Sequence, residues 1–570
     1  MSIDGYFSRI RANGRRFHRN LTALSFGWSG SGRSPGAAPD RKDPMTDPLK
    51  KRRRRSRLMT YGAVAAALGL TAAGVGVAQA AATPPPLSFV AATGQVTAER
   101  YDYDGEIYLS MDLGLHVIAG KDPLEIWAKR TGYDKPIKAE RVVVQNGKKK
   151  KVALPAGMVP DFNGLKDFTT ISIADSAGKV VKEYTTPFCG NSYSSGRTRP
   201  DAPAANPYPQ GCGGYNPFTL GAVWGVQAGW DATVNDQPEY DEAEPFDLPV
   251  GQYTATATVN PVYKQLFGIP AEQGTAKVGV TVVDGETDRA GLARIKAADA
   301  GRTEKTDEHS IHTAEGDAKR QVSAFVPELR APAKRPTPLK ATPTGGPRPD
   351  LRSLPAWEIA LEQEDGKWYV NFGATVWNAG TSPLLVDGFR RTGTELMDAY
   401  QYFFDAKGNQ VGSRPAGTME WDNREGHLHW HFTDFAQYNL LDSTQKLSVR
   451  SGKEAFCLAN TDAVDFTIPG AKWRPENTDL STSCGANTVI AVREVLDIGN
   501  GDTYSQYRPG QSFEVTDLPN GTYYIQTLAN PENKLAELDT TNNSALRQII
   551  LGGTPEARTL TVPPVHGIKG

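Results

Sequence analysis

His427, His429 and His431 stand at alternate positions in a chain that has only eight histidines. The segment around them reads as a β-strand, and in a strand residues i, i+2 and i+4 point to one face. Three imidazoles on one face are a ligand set. Neutral imidazole binds copper, zinc, iron and nickel. A histidine site without thiolate favours copper or zinc over calcium or magnesium. A single histidine flanked by Trp421, Trp430, Phe432 and Phe435 would be an ordinary strand residue; three are a metal motif. Residues i and i+4 lie roughly 13 Å apart along a straight strand. The strand must therefore curve or bulge for all three to reach one ion; otherwise two bind and a third ligand comes from elsewhere.

The elements that position these residues are β. The chain has 570 residues, enough for two to four domains. Gly and Pro are abundant, and Val, Thr, Tyr and Phe recur in short alternating runs. A formal net charge of −1 gives no electrostatic footprint for nucleic acid. The expected class is all-β: two β-sandwich-like domains, read as a duplication, joined by a long disordered linker. Strands are expected at Trp357–Leu361, Trp368–Val376, Leu384–Val386, Tyr400–Asp405, His427–Tyr438, Val489–Leu496 and Thr522–Leu528. Turns are expected at Asp365-Gly366, Lys407-Gly408-Asn409, Asn500-Gly501 and Asn520-Gly521.

Residues 1–44 read as unstructured. Residues 45–82 read as a secretory signal or signal anchor, with a basic block Lys50–Arg57, an apolar stretch Leu58–Val77, and the small-residue pattern Ala78-Gln79-Ala80. The cleavable form is the favoured one, which places the protein outside the cell or on its surface. A membrane is a partner only if the signal stays as an anchor. In that compartment Cys189, Cys212, Cys457 and Cys484 read as two disulfides. Cys189–Cys212 with Cys457–Cys484 is the simplest of three connectivities.

Residues 286–350, charged and then Pro-rich, read as a disordered linker, and His309 and His312 there as solvated polar residues. On either side, the chain repeats itself. EPFDLPVGQYTATATVNP (244–261) parallels FEVTDLPNGTYYIQTLANP (513–531), and Phe188-Cys189…Cys212 parallels Phe456-Cys457…Cys484. A looser parallel joins DSAGKVV from Asp175 to DAKGNQV from Asp405. The implied domains are 83–285, without the histidine motif, and 351–556, with it, followed by a tail at 557–570.

From Glu425 the chain reads EGHLHWHFTDFAQYNLLDSTQKLSVRSGKEAFCLANTD. This resembles the catalytic domain of the lysyl oxidases: H-x-H-x-H, then Phe435, Tyr438, Leu440, Leu441 and Asp442, then Lys453, Phe456, Cys457 and Leu458. Asp502, Thr503, Tyr504, Gln511, Val515, Thr516, Asp517 and Asn542-Asn543 extend the resemblance, which covers about 351–551. It implies a copper-dependent amine oxidase with copper on His427, His429 and His431. The cofactor would be a lysine tyrosylquinone that the chain makes from its own Lys453 and Tyr504. The implied reaction converts primary amines, peptidyl lysine or small amines, to aldehydes. Molecular oxygen is consumed, and hydrogen peroxide and ammonia are released. The sequence departs from the animal pattern at Gly452 and Gly510 and in an insertion at Ile468–Asn477. Asp434 and Asp502 are the nearby carboxylates, and neither is assigned as the base. Two other classes remain open: a non-catalytic extracellular copper-binding protein, and a cell-surface adhesion module.

Overall fold

The computed structural model describes residues 85–103, 106–236, 246–285, 342–391, 393–423, 428–433, 435–450, 455–474, 480–506 and 510–569. The signal region, residues 286–341 of the expected linker, His427, Asp434 and Lys453 lie outside the described residues. Nearly all regular structure is β. The seven-residue helix Pro261–Phe267 and a single turn at Ala271–Gln273 are the helical elements among the described residues. No described helix is long and apolar enough to cross a membrane.

Among the described residues the first half contains three sheets. The largest runs Glu106–Ser110, Gln95–Tyr103, Thr275–Asp284, Gly251–Val259, Leu165–Asp175, Val180–Phe188. A four-stranded sheet runs Gly221–Val226, Leu124–Lys129, Lys138–Gln145, Lys148–Ala153. Alternation drives the packing: Ala255, Ala257 and Val259 on one strand and Val278, Val280 and Val282 on its neighbour face a common core, while the residues between them are partly exposed.

The second half is built the same way. One sheet runs Ala455–Phe456, His429–Thr433, Gln410–Asp422, Leu396–Phe404, Leu384–Arg390, Ala491–Leu496. A second runs Leu447–Arg450, Ala436–Leu441, Gly521–Ala529, Ser544–Thr554, Ala557–Thr561. A third is centred on Lys367–Asn378, which pairs with Asn500–Tyr504. Phe372, Phe432, Phe435, Tyr438, Phe456, Tyr504 and Phe513 fill the space between the sheets.

Several expectations change. His427–Tyr438 is not one strand. His429–Thr433 and Ala436–Leu441 belong to different sheets, because the chain crosses between layers there and buries Phe432, Phe435 and Ala436 in the crossing. Asn500-Gly501 is not a turn but the start of a strand. The reversal falls one residue earlier, at Gly499, whose φ of 83° and closeness to the Asp465 carbonyl (2.5 Å from where a Cβ would sit) exclude a side chain. Residues 557–561, placed in the tail, add a strand to the second sheet. The end of the expected linker is packed: Arg348 and Asp350 are buried, and the Arg348 guanidinium lies 4.6 Å from the Phe403 ring centroid.

Both disulfides have the expected partners, Cys189–Cys212 and Cys457–Cys484. The halves also share a sheet order. Val180–Phe188, Leu165–Asp175, Gly251–Val259 and Thr275–Asp284 correspond by position to Leu447–Arg450, Ala436–Leu441, Gly521–Ala529 and Ser544–Thr554. That order aligns the Asp175 turn with Asp442 rather than with Asp405. The three turns look alike in sequence because each uses the aspartate to accept backbone N–H groups two and four residues on.

Candidate active site

His429 and His431 project from the strand His429–Thr433, at 2% and 1% exposure. Their Nε2 atoms are 2.8 Å apart. Burying two imidazoles side by side is costly unless their nitrogens are satisfied. A shared proton could do this. So could a shared cation, since two nitrogens held about 2.0–2.1 Å from one ion and at near right angles would be about this far apart. The intervening Trp430 points to the other face. Its indole N–H donates to the Ala486 carbonyl (3.2 Å) and its ring takes the Arg390 guanidinium at 5.0 Å. That anchoring fixes the register and hence the histidine face.

The neighbouring strand supplies the support. In the pairing of His429–Thr433 with Gln410–Asp422, His429 lies opposite Asp422 and His431 opposite Glu420. The buried Asp422 places Oδ2 3.2 Å from Nδ1 of His431. A carboxylate on the far nitrogen of a metal-binding imidazole is the usual way to fix its tautomer and raise its basicity. Asp422 was not singled out from sequence, because its closeness depends on a hairpin whose register only the fold shows.

On the other side, His429–Thr433 pairs with Ala455–Phe456, with Phe432 opposite Phe456. This short strand leads to Tyr504. The Cys457 N–H donates to the Tyr504 hydroxyl at 3.0 Å, and that hydroxyl lies 3.3 Å from the Cys457 carbonyl. The Tyr504 ring packs edge-on against Phe456, centroids 4.8 Å apart. Cys457 is disulfide-bonded to Cys484, whose carbonyl accepts the Trp430 N–H at 3.0 Å. The disulfide thus ties the histidine strand to the residue that holds the phenol.

Tyr504 is buried, and burial holds its phenol well above the ordinary pKa; the charge of Asp502 pushes the same way, followed by Tyr438 and Glu494. Tyr438 is raised for the same first reason. Glu494, fully buried, accepts the Leu458 N–H at 3.0 Å, and the Gln511 amide donates to the Tyr504 carbonyl at 3.0 Å. Glu494 escaped the sequence reading because it sits in an ordinary alternating strand. Among the described residues no group of three or more His, Cys, Asp or Glu side chains is arranged to hold a metal. His427, the third member of the motif, is outside them, and the described pair with its Asp422 support fits an imidazole-bound ion.

Residues 404–559 match the lysyl oxidase family. Curated relatives agree. Protein-lysine 6-oxidase of Sus scrofa is 33% identical over 133 residues, 23% of this chain and 46% of its own length. The Homo sapiens protein-lysine 6-oxidase has the same identity over the same length, 28% of that protein. Lysyl oxidase homolog 3A of Danio rerio is 28% identical over 129 residues, 15% of its length. The chain therefore spans less than half the length of these relatives. The family match takes in the histidine strand, the Asp422 support, both cysteines of Cys457–Cys484, and Tyr504. It leaves the first half out.

Proposed function

We propose that the chain is an exported, copper-dependent amine oxidase. Its substrates would be primary amines, peptidyl lysine among them, converted by oxygen and water to aldehydes with release of ammonia and hydrogen peroxide. The observation that carries this reading is the continuity from the converging His429 and His431 through Phe432 and Phe456 to the pinned phenol of Tyr504, all within the lysyl oxidase match.

His427, His429 and His431 would hold the copper, with Asp422 orienting His431. Bound copper would supply one-electron redox chemistry toward oxygen and the tyrosine ring, which zinc cannot. Lys453 would join Tyr504 to make the lysine tyrosylquinone. It stands two residues before Ala455, a reach of about 7 Å of chain. The Cys457 N–H holds the phenol oxygen in place, and the apolar ring contacts exclude water. Asp502, whose charge acts on both Tyr504 and Tyr438, would take up a proton beside the two phenols. The two disulfides and the signal-like N-terminus support export. The common sheet order of the halves supports reading them as a duplication in which the first copy keeps the fold without the metal motif.

Peptide mapping by mass spectrometry of the protein, expressed aerobically with copper, tests the reading together with peroxide release from a simple alkylamine. A covalent Lys453–Tyr504 peptide pair with peroxide release is expected. Unlinked peptides and no peroxide from fully copper-loaded protein would overturn it and leave copper binding alone.

A further inference from the structure

The first half, outside the family match, sends one segment into the second. Asn216, 3% exposed, donates from Nδ2 to Asp462 Oδ2 (2.8 Å) and to Thr375 Oγ1 (3.0 Å). The same Asp462 Oδ2 accepts the Thr503 hydroxyl, and Thr503 and Thr375 hydroxyls are 2.6 Å apart. Its neighbour Tyr215 places its hydroxyl 3.1 Å from Ser505 Oγ and its ring edge-on to Trp357, centroids 5.0 Å apart. The contact continues through the backbone. The Leu220 N–H donates to the Val464 carbonyl (2.7 Å), the Phe466 N–H donates to the Gly221 carbonyl (2.8 Å), and Gly221 and Asp465 form a parallel bridge. Phe218 from the first half packs with Leu354, Trp357, Trp377 and Val464 from the second in one apolar cluster.

These bonds converge on the two residues that flank Tyr504. Asn500–Tyr504 pairs along one edge with Lys367–Asn378, up to Tyr504 opposite Ala374. Along its other edge the ladder is short: Asp462 and Ala463 pair with Gly501 and Asn500 only. The residues beyond Gly501 are held there by side chains instead. The Thr461 hydroxyl accepts the Thr503 N–H at 2.7 Å, and Asn216 and Tyr215 reach Thr503, through Asp462, and Ser505. In an extended chain residues i−1 and i+1 face opposite to residue i. Gripping Thr503 and Ser505 on one face therefore aims Tyr504 to the other.

We infer that the first half of the chain is a scaffold for the tyrosine strand, with Asn216 and Tyr215 as positioning residues for Tyr504. The inference rests on the proposed function for what Tyr504 does, but not for how it is held. The described part of the insertion, Ile468–Arg474, belongs to the same contact: Trp473 stacks against Tyr208 (centroids 6.2 Å apart) and meets Trp127 edge-on (5.5 Å), both residues of the first half. Trp473 thus makes that part of the insertion a docking feature.

The test compares full-length, copper-loaded wild type with Asn216→Ala, Tyr215→Phe and Tyr215→Phe/Ser505→Ala. Three quantities are read: hydrogen exchange of peptides covering 500–506, yield of the Lys453–Tyr504 pair per folded molecule, and kcat and KM for an alkylamine. For Asn216→Ala, exchange at 502–505 should quicken at least tenfold while that at 521–529 and 544–551 stays unchanged. Linked-pair yield and kcat should fall at least fivefold with KM within twofold of wild type. Tyr215→Phe keeps the ring and loses one bond; a threefold effect confined to 503–506 is expected, with no further loss when Ser505→Ala is added. Should Asn216→Ala not accumulate folded, the Tyr215 pair of variants decides. Unchanged exchange at 502–505 in the folded variants overturns the inference. A wild type without linked peptide overturns the amine-oxidase reading instead, and the exchange result still decides the positioning.

Discussion

The Tyr504 hydroxyl accepts the N–H of Cys457 across 3.0 Å in a site that excludes solvent from both. This bond fixes the phenol beside the strand that follows Lys453. Tyr504→Phe keeps the ring contact with Phe456 but leaves that buried N–H without its phenol acceptor, a loss of about 1–3 kcal/mol. The variant should fold with a modestly lower Tm, bind copper as wild type does, and release no peroxide from an alkylamine. Calorimetry, copper titration and the peroxide assay together check this. Oxidase activity surviving in the variant would remove Tyr504 from the proposed chemistry.

The disulfide Cys457–Cys484 closes a loop with a sequence separation of 27 and joins the Tyr504 anchor to the Trp430 backbone. Loop closure of that length contributes about 3–4 kcal/mol through the unfolded chain. Replacing both cysteines by serine should lower stability by that order, measured by denaturant unfolding. It should also lower the yield of linked Lys453–Tyr504 peptide in the molecules that remain folded. A yield equal to wild type would confine the disulfide to stability alone.

Asp422 places Oδ2 3.2 Å from the far nitrogen of His431 without belonging to the H-x-H-x-H motif. Asp422→Asn retains size and loses charge, so the imidazole becomes a weaker and less well oriented ligand. Copper affinity should fall about 10–100-fold, the usual cost of losing such a partner. A competition titration against a chelator of known affinity reads this directly. Unchanged affinity would mean that His431 is oriented by Trp430 and strand pairing alone.

How much of this was legible in the sequence depended on whether the cause was local. Alternation and turn residues placed Leu384–Arg390, Ala491–Leu496 and Gly521–Ala529 to within a few residues, because hydrophobic periodicity is written along the strand itself. The motif residues His427, His429, His431, Lys453 and Tyr504 were singled out by spacing and resemblance. Gln410–Asp422 was missed, since Gly412, Pro415 and Gly417 look like loop residues and are absorbed instead by irregular pairing with Leu396–Phe404. Asp422, Glu494 and Asn216 carry no local signature at all. Each matters through a partner across a sheet or from the other half of the chain, and such pairings exist only once the fold does.

Burial raises the carboxyl of Asp497 to about 7, with Lys472 and the Ile498 N–H opposing. A carboxyl raised on folding is held more tightly protonated in the native state than in the unfolded chain. Its contribution therefore favours the fold fully below about pH 4 and is lost as pH rises through about 7. Asp497→Asn cannot titrate, and its amide oxygen can still accept the Ile498 N–H. Relative to wild type, the variant should gain about 3–4 kcal/mol of stability between about pH 4 and pH 8, at about 1.4 kcal/mol per pKa unit. Unfolding measured across that range checks the slope. A constant difference between the two proteins would place the Asp497 pKa near its ordinary value.

Arg547 faces inward from Ser544–Thr554, at 1% exposure, in line with the core residues Ile549 and Leu551. None of its three guanidinium nitrogens has a hydrogen-bond partner among the described residues, and burial lowers its pKa. A buried cation whose nitrogens lack hydrogen-bond partners opposes folding, and even a buried ion pair is often replaced by apolar residues with a gain of about 1–4 kcal/mol. Arg547→Met matches its length and flexibility. It should raise the midpoint of denaturant unfolding without changing its slope, and leave the kcat for an alkylamine as in wild type. A destabilised variant would mean that the guanidinium is compensated through its surroundings, and that its place in the sheet is held by charge rather than tolerated despite it.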